Sequence, residues 1–355
     1  MTAAHAAPPA THHDPRKPHH PWWPWVRRAA ALVFFAGVVL LLARQARTID
    51  WNEVLAAVAE LPRLTLLEAG IVAACSFALY STYDLLGRHL TGHRLGTATV
   101  MGVTFISYAF NLSLGSMVGG IAFRFRMYSR LGLRAATITR VLGTSLVTNW
   151  TGYLLIAGVA YLLWPLGLPP TWKIDNWGVR VLGAVFIALA AGYVALCAWA
   201  HERTLHVRGH DLQPPPPRIA LLQLAMAFTN WALVACVIWV LLQGQVTYVR
   251  VLAVFLVSVM AGLIVRIPAG LGVLEAVFVA LLGDDVGAGR LLAALLAYRG
   301  IYYLVPLAIA AVAFLGTEWR ARRLRRRAAF AAAVKQASPG GTPGPATSSH
   351  DKPVG

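Results

Sequence analysis

The sequence predicts an all-α, polytopic integral membrane protein with about eight transmembrane helices and one re-entrant or broken element. Apolar residues make up 58% of its 355 residues and charged residues only 13%, about half of the roughly 25% that a soluble domain carries. That balance leaves too little polar surface to cover a water-soluble globule. Because the apolar runs are too long for barrel strands, we expect every crossing to be a helix.

Nine apolar runs divide the chain. A bilayer core of about 30 Å needs roughly 20 helical residues, so most of these runs are long enough to cross it. The first, Ala29–Ala43, follows an aromatic and basic border and is predicted to be an uncleaved anchor, because Arg44 and Gln45 interrupt any small-residue cleavage site. The other eight runs are Leu66–Leu86, Thr97–Val118, Val141–Trp164, Val179–Ala200, Ile219–Leu242, Val251–Val265, Ile267–Gly283 and Leu291–Gly316.

The strong positive charge is expected to hold one face of the protein against an anionic leaflet. The net charge is +17, from 31 basic and 14 acidic residues. In a membrane protein, such an excess is typical of basic cytoplasmic loops, so nucleic acid is not an expected partner. The three cysteines lie inside apolar runs without metal-ligand spacing. We therefore expect no metal ion, no cofactor and no disulfide.

The charges between the runs predict the topology. Arginine is concentrated after Val118, after Ala200 and after Gly316, whereas the segments after Trp164 and Gly283 are poor in basic residues. The positive-inside rule places the first three in the cytoplasm and the last two outside. The pattern is consistent if the run that begins at Thr97 dips into the membrane and returns to the same side. Eight crossings then place both termini in the cytoplasm.

Composition divides the chain into three parts. Residues 1–21 are rich in proline and histidine without an apolar period, and are predicted to be a disordered cytoplasmic tail. Residues 22–318 form the predicted transmembrane domain. Residues 319–355 are first basic and then rich in proline and glycine, and are predicted to be a second cytoplasmic tail.

Two glycine-rich segments are unsuited to plain spanning helices. One contains Asn111 and runs into Arg124 and Arg126; the other extends from Arg266 to Glu275. Broken helices at comparable places in two halves of a chain are typical of transport sites. Close helix packing through small residues is the structural alternative. The predicted break residues are Gly115, Gly119, Gly120, Pro268, Gly270 and Gly272.

Arg299 is the deepest predicted charge. It lies nine residues after Arg290, hence about 13 Å into the last helix at about 1.5 Å per residue. An unpaired arginine at that depth costs at least about 2.5 kcal/mol, so it needs an acid, carbonyl groups or a bound anion. Glu275 and Asp84 are the candidate acids, and Tyr302 lies one turn further along. A purely structural Arg–Glu pair remains the alternative to a substrate site.

Three motifs together resemble a known family. The segments Ser107–Leu133, Ile267–Glu275 and Ala297–Pro306 are similar to the motifs of the lysylphosphatidylglycerol synthase transmembrane region, also described as a flippase-like domain. The opening Ala43–Trp51 is similar as well, and the resemblance covers roughly residues 30–318. It implies a bacterial inner-membrane protein that moves a phospholipid between leaflets.

The resemblance implies roles for the charged and polar candidates. Arg124 and Arg126 are expected to meet a lipid phosphate, which a guanidinium matches bidentately. Glu275 is expected to meet a cationic headgroup or to balance Arg299. The complete set of expected lipid-binding residues is Asn111, Arg124, Arg126, Arg266, Glu275, Arg299 and Tyr302.

The expected function is lipid translocation without aminoacyl transfer, because the 39 residues after Gly316 are too few for a transferase domain. The expected partners are membrane phospholipids, anionic or aminoacylated, with a second copy of the chain or a lipid-synthesis enzyme as protein partners. A transporter of a small soluble solute and a non-transporting scaffold for lipid or envelope biogenesis stay open as alternatives.

Overall fold

The computed structural model describes residues 56, 59–164, 176–200, 205–207, 210–212, 214–265, 272–319 and 323. Within these ranges, six helices are long and apolar enough to span a membrane, and a shorter apolar helix covers Tyr248–Ile264. The prediction of an all-α polytopic membrane protein is confirmed. The first apolar run, the 1–21 tail and nearly all of the 319–355 tail lie outside the described residues, so their assignments stay predictions.

The first half of the described chain forms five helices and one π-helical segment. A spanning helix over Arg63–Thr91 is divided at Thr82 into α1 and α2. The bounds are α1 Arg63–Ser81, α2 Tyr83–Thr91, α3 Thr97–Leu114, the π-helical segment Ser116–Ala122, α4 Phe123–Arg130 and α5 Ala135–Leu163.

The second half adds six helices, a π-helical segment and a short antiparallel hairpin. The last span, Ala288–Trp319, contains α10, the π-helical segment and α11 in succession. The bounds are α6 Asn176–Ala200, β1 Leu205–Val207, β2 His210–Leu212, α7 Pro217–Leu241, α8 Tyr248–Val265, α9 Val273–Val286, α10 Ala288–Tyr298, the π-helical segment Arg299–Leu304 and α11 over 305–319.

The chain from α3 to α4 is a helical hairpin that turns at Gly115. Gly115 has a φ of +83°, which glycine adopts without a steric penalty. The return limb lies directly against α3: the rings of Phe110 and Phe123 stack with centroids 4.2 Å apart. Nearer the open end, Val103 and Tyr128 belong to one core cluster. Both ends of the hairpin therefore lie on the same side of the fold, as the predicted re-entrant element requires.

A second hairpin is formed by α8 and α9. Its limbs meet at their open end, where Arg250 forms an ion pair of 2.7 Å with Asp285. Residues 266–271, between the two limbs, lie outside the described part of the chain. The return limb begins after Gly272, whose φ is +79°. The sequence predicts two separate runs here, Val251–Val265 and Ile267–Gly283, and the structure makes them the two limbs of one hairpin, while most of the predicted break lies outside the described residues.

The two hairpins open on opposite sides of the fold. The last span begins two residues after α9 ends, and therefore starts at the open end of the second hairpin. At its other end, Glu318 pairs with Arg130 at the open end of the first hairpin. The 32 residues of this span are about 48 Å long, which separates the two open ends by more than a bilayer core.

Close approach through small residues holds α5 against its neighbours. A Cβ on Gly152 would lie 2.1 Å from that of Ala227 on α7, and a Cβ on Gly158 would lie 2.9 Å from the carbonyl oxygen of Gly183 on α6. Such contacts are typical of membrane helices, where van der Waals packing replaces the hydrophobic drive. The opposite face of α6 exposes apolar side chains to lipid, among them Val185, Leu189 and Trp199.

The structure differs from the sequence prediction in three details. Several helices begin earlier than their apolar runs, α5 by six residues, because arginine and threonine continue the helix beyond the apolar stretch. The run that begins at Thr97 ends as an α-helix at Leu114 rather than at Val118, because Gly115 turns the chain. The arginine-rich segment after Ala200 contains the short hairpin of β1 and β2, where no strand was predicted.

The sidedness can be tested with single cysteines in a variant whose three native cysteines are replaced by alanine. We expect a cysteine at Gly132 or Leu212 to react with a membrane-impermeant maleimide only from the cytoplasm, and one at Gly287 only from outside, because basic loops stay in the cytoplasm. Labelling in intact and permeabilised cells measures this. Labelling at Gly132 from outside would contradict the re-entrant path and invert the chain from there onward.

Gly119 is predicted to be essential for the hairpin. A Cβ at this position would lie 2.2 Å from the carbonyl carbon and oxygen of Phe110, which are backbone atoms and have little freedom to move. We expect Gly119→Ala to lower the free energy of unfolding by about 2–3 kcal/mol or to prevent folding. Gly102→Ala, on α3, is the matched control, since a Cβ at Gly102 would meet no atom within 4 Å. A melting temperature unchanged by Gly119→Ala would contradict the close approach.

Candidate functional site

Residues of both hairpins line a cavity of about 260 Å³. One wall comes from Asn111 and Leu112 at the end of α3, and another from Gly262 on α8 and Leu274 on α9. The remaining polar and aromatic lining residues are Tyr80, Tyr108, Asn149, Trp231, Phe255, Ser258, Tyr298, Tyr302 and Tyr303.

Asn111 reaches the cavity because of the glycines opposite it. A Cβ on Gly120 would lie 2.9 Å from Asn111 Oδ1, so a larger residue there would displace the amide. Asn111 Oδ1 is buried and has no hydrogen-bond partner among the described residues. A buried amide oxygen without a partner costs free energy.

A hydrogen-bonded chain of hydroxyl groups and an amide forms another part of the wall. Tyr302 Oη lies 3.1 Å from Tyr108 Oη and 2.8 Å from Ser76 Oγ. Ser76 Oγ also donates to Asn230 Oδ1 at 2.9 Å. The ring of Tyr80 stacks on that of Tyr108, with centroids 3.5 Å apart. Tyr108 and Tyr302 line the cavity, and the hydrogen bonds through Ser76 to Asn230 tie Tyr302 to the bundle behind the wall.

Glu275 and Arg299 form a bidentate ion pair next to the cavity. Arg299 Nε donates to Glu275 Oε1 at 2.5 Å and an Nη atom donates to Oε2 at 3.0 Å. The Arg299 guanidinium also lies over the ring of Tyr303, 5.7 Å from its centroid. Glu275 is in the first turn of α9, and Arg299 opens the π-helical segment of the last span. Such π-helical turns frequently occur at functional sites.

A second buried pair lies behind Tyr80. Asp84 on α2 is 0% exposed and Arg124 on α4 is 6% exposed. Their closest atoms, Arg124 Nε and Asp84 Oδ2, are 3.6 Å apart, which is an ion pair without a hydrogen bond. Tyr128 Oη donates to Asp84 Oδ2 at 2.8 Å, and Ser145 Oγ donates to Oδ1. The Arg124 guanidinium lies 5.8 Å from the centroid of the Tyr80 ring.

The structure distributes the predicted site residues among these features. Asn111 and Tyr302 line the cavity, and Glu275 and Arg299 pair beside it. Arg124 is paired with Asp84, so the suggestion that Asp84 is the partner of Arg299 is wrong. The reason is that the α3–α4 hairpin brings Arg124 to Asp84, while α9 brings Glu275 to Arg299.

The remaining predicted residues are less informative. Arg126 is half-buried on α4 and engaged in another contact. Arg266, Pro268 and Gly270 lie outside the described residues.

Most of the cavity wall was missed by sequence reasoning. Tyr80, Asn149, Trp231 and Ser258 lie inside apolar runs, where single aromatic, amide or hydroxyl residues are common and carry no recognisable spacing. Tyr108 lies within the first family-like motif, but its position there indicates no role of its own. Only the folded bundle shows that these side chains face a common space.

Each of the three sequence motifs contributes residues to the cavity or to the ion pair beside it. Comparison with known proteins identifies the family. The model of the lysylphosphatidylglycerol synthase TM region matches residues 28–310. The chain belongs to this family. The family resemblance in the sequence is thereby confirmed.

The chain covers most of two relatives in the family and about one third of a longer one. The chain is 43% identical over 309 residues to the inner membrane protein YbhN of Escherichia coli, with 87% of this chain and 97% of that protein covered. It is 28% identical over 280 residues to an uncharacterized protein of Synechocystis, covering 78% and 87%. Phosphatidylglycerol lysyltransferase of Staphylococcus aureus is 23% identical over 298 residues, which cover 79% of this chain but 33% of that enzyme.

The family motifs contain the hairpin glycines and three of the four residues of the two buried ion pairs. The first motif contains the turn at Gly115 together with Arg124, the second contains Gly272 and Glu275, and the third contains Arg299. Asp84, the partner of Arg124, lies outside all three motifs.

The Glu275–Arg299 pair is predicted to behave as a buried ion pair in folding. Glu275→Gln alone should lower the free energy of unfolding by about 3–5 kcal/mol, because it leaves Arg299 charged and uncompensated in a low-dielectric site. The double variant Glu275→Gln/Arg299→Met should recover most of that loss. Thermal unfolding in one detergent measures both variants.

The exposed pair of Arg250 and Asp285 provides the control. Its side chains are 43% and 41% exposed, so Asp285→Asn should cost less than about 1 kcal/mol. If Glu275→Gln were as mild as Asp285→Asn, the buried pair would have no structural role.

Proposed function

We propose that this protein moves a phospholipid or a related lipid between the two leaflets of the bacterial inner membrane, without transferring an aminoacyl group to it. One observation carries this proposal: two hairpins that open on opposite sides of the fold both contribute residues to a cavity between membrane-spanning helices, and amide and hydroxyl side chains interrupt its aromatic lining. Broken helices around a midplane site are the architecture of alternating access, in which either side can open toward the same site.

The cavity lowers the main free-energy barrier to lipid movement, which is the transfer of the polar headgroup through hydrocarbon. A headgroup that crosses hydrocarbon without partners loses several hydrogen bonds to water, each costly when unreplaced. Here the side-chain amides of Asn111 and Asn149 line the cavity and offer replacements, while the acyl chains stay in the surrounding lipid. The aromatic rings add a surface on which a headgroup can slide without a strong directional bond.

The relatives support the lipid as substrate. The name of phosphatidylglycerol lysyltransferase describes an enzyme that acts on a phospholipid. The part of that enzyme that is similar to this chain is about one third of its length. YbhN is named as an inner membrane protein. By extension from these two relatives, we propose that this chain lies in the inner membrane and that its substrate is an anionic or aminoacylated phospholipid. The charge pattern of the loops adds that both termini are in the cytoplasm.

The Glu275–Arg299 pair is positioned to contact the headgroup of a lipid in the cavity. Its neighbours Leu274, Tyr298 and Tyr303 line the cavity, so a headgroup that enters lies within reach of both charges after a small rearrangement. An aminoacylated headgroup carries both a phosphate anion and an ammonium cation, so each charge of the pair can exchange its partner for a charge of the headgroup. In that case the double variant Glu275→Gln/Arg299→Met folds normally but moves lipid slowly.

Translocation in proteoliposomes tests the proposal. Purified protein is reconstituted with fluorescent phosphatidylglycerol, lysylphosphatidylglycerol or phosphatidylethanolamine, and the label in the outer leaflet is bleached over time. We expect wild-type protein to accelerate the loss of inner-leaflet label for at least one lipid. Asn111→Leu should slow that lipid roughly tenfold, because it removes the unpartnered amide from the cavity.

Asn176→Leu is the matched control for the same chemical change. Asn176 begins α6 at the surface, outside the cavity wall, and its replacement should leave the rate unchanged. If no lipid moves but a small polar solute crosses, the protein is a solute transporter. If neither moves in protein shown to be folded, the scaffold alternative is correct.

A further inference from the structure

A groove of about 920 Å³ lies on the lipid-facing side of α6, near the end at which that helix begins. Leu162, at the end of α5, forms one edge, and α6 forms the rest. The lining of the cavity described above contains no residue of α6, so the groove and the cavity are separate. A stripe of α6 residues runs along the groove: Trp177, Arg180, Val181, Ala184, Val185 and Ala188.

The length of the stripe matches one leaflet of a bilayer. Its members recur at intervals of three and four residues, which places them on one face of the helix. The distance from Trp177 to Ala188 along the helix is about 16 Å at about 1.5 Å per residue. This is about half of a hydrocarbon core of roughly 30 Å. The groove therefore has the length that an acyl chain occupies in a single leaflet.

The chemistry of the groove changes along this length. Trp177 and Arg180 stand at the shallow end, whereas Ala184, Val185 and Ala188 make the deep end apolar. Tryptophan is typical of the membrane interface, where its ring lies at the level of the headgroups. The 25 residues of α6 are about 37 Å long, so its first turn extends beyond a centred hydrocarbon core. Arg180 is consequently close to the level of the lipid phosphates.

Arg180 forms no ion pair or hydrogen bond with any residue that the structure describes, and its side chain is exposed. Four other arginines of the bundle, Arg124, Arg130, Arg250 and Arg299, each pair with a carboxylate. A guanidinium at the edge of hydrocarbon is stabilised by an anion. Phosphate is the anion that a bilayer supplies at this depth, and a guanidinium binds it bidentately.

The protein holds the walls of the groove in place. A Cβ on Gly183 would lie 2.9 Å from the backbone nitrogen of Leu162, so α5 and α6 are in backbone contact beside the groove. The side chains of Ala184 and Ala188 are single methyl groups, which leave the deep end open. An acyl chain can therefore occupy the groove without separating the helices, which reduces the free-energy cost of binding.

We propose that this groove is a binding site for an anionic phospholipid of the outer leaflet, with the phosphate on Arg180 and one acyl chain along Ala184 and Ala188. The leaflet follows from the path of the chain. Because α5 begins beyond the open end of the first hairpin and then crosses the bundle, Leu162 lies on the opposite side, which the loop charges place outside. The bound lipid is distinct from a lipid in the cavity, so this site does not depend on translocation.

Native mass spectrometry of the full chain in detergent measures the headgroup preference. The protein is titrated with phosphatidylglycerol or with phosphatidylethanolamine of the same acyl chains. We expect phosphatidylglycerol to bind about fivefold more tightly, because the ammonium group of phosphatidylethanolamine competes with Arg180 for the phosphate. Arg180→Gln should remove this preference.

Arg290→Gln is the matched control for the loss of one basic residue. Arg290 is an exposed arginine near the start of α10, on the same side of the fold but outside the groove, so its replacement should keep the preference. Equal binding of the two lipids by wild-type protein overturns the site. An unchanged preference in Arg180→Gln does so as well.

The position of the acyl chain is tested in proteoliposomes with phosphatidylglycerol that carries a diazirine near the end of one chain. We expect photo-crosslinks on α6 near Ala188. Ala184→Phe fills the groove with a ring and should lower this crosslinking at least about fivefold, since loss of the contact removes the chain from the helix. Ala195→Phe, at an exposed alanine of the same helix outside the groove, should leave it unchanged. Equal crosslinking in both variants contradicts the proposed position.

Two other occupants of the groove would give different results. If a second copy of the chain covers it, the native mass is that of a dimer, and Ala184→Phe converts it to a monomer. If another segment of this chain covers it, Ala184→Phe lowers the melting temperature and Arg180→Gln leaves lipid binding unchanged. Either result overturns the lipid site. Neither affects the proposed translocation, because the cavity is built without α6.

Discussion

The cost of polar and charged groups in hydrocarbon determines most of this structure. Because no water is available inside a bilayer, every backbone group has to be paired within its own helix, and every charge needs a partner within the bundle. The two deep arginines, Arg124 and Arg299, each meet this requirement with a carboxylate from another helix. The positions of α4 against α2 and of α9 against the last span follow from these two pairs.

Departures from regular helix occur where the chain encloses polar space. The turn at Gly115, the two π-helical segments and the start of α9 after Gly272 all lie near the cavity or the buried pairs. Non-helical backbone at membrane depth is tolerated where it is buried in protein or lines a cavity. The glycines thus serve two purposes: they permit the turns, and at Gly119 and Gly120 they let α3 and its return limb approach within backbone contact.

The two buried pairs illustrate how similar residues acquire different properties. A bidentate contact fixes Glu275 and Arg299 as a rigid unit beside the cavity. Asp84 instead accepts its hydrogen bonds from two hydroxyl groups and lies 3.6 Å from Arg124 without a hydrogen bond to it. In a low-dielectric interior, this difference in hydrogen-bond partners matters more for how tightly each carboxylate is held than the difference between aspartate and glutamate. Both pairs join a hairpin limb to a spanning helix, so each is placed to link local charge to hairpin position.

The sequence by itself determined the class of protein, the approximate spans and the two broken segments, because length, hydropathy and glycine content act locally along the chain. It also singled out Asn111, Glu275, Arg299 and Tyr302. Only the tertiary structure decided which acid meets which arginine, and that Tyr80, Tyr108, Asn149, Trp231 and Ser258 share one cavity. These residues are separated by up to about 180 positions and carry no common spacing, so their proximity arises from helix packing, which a pattern along one chain does not encode.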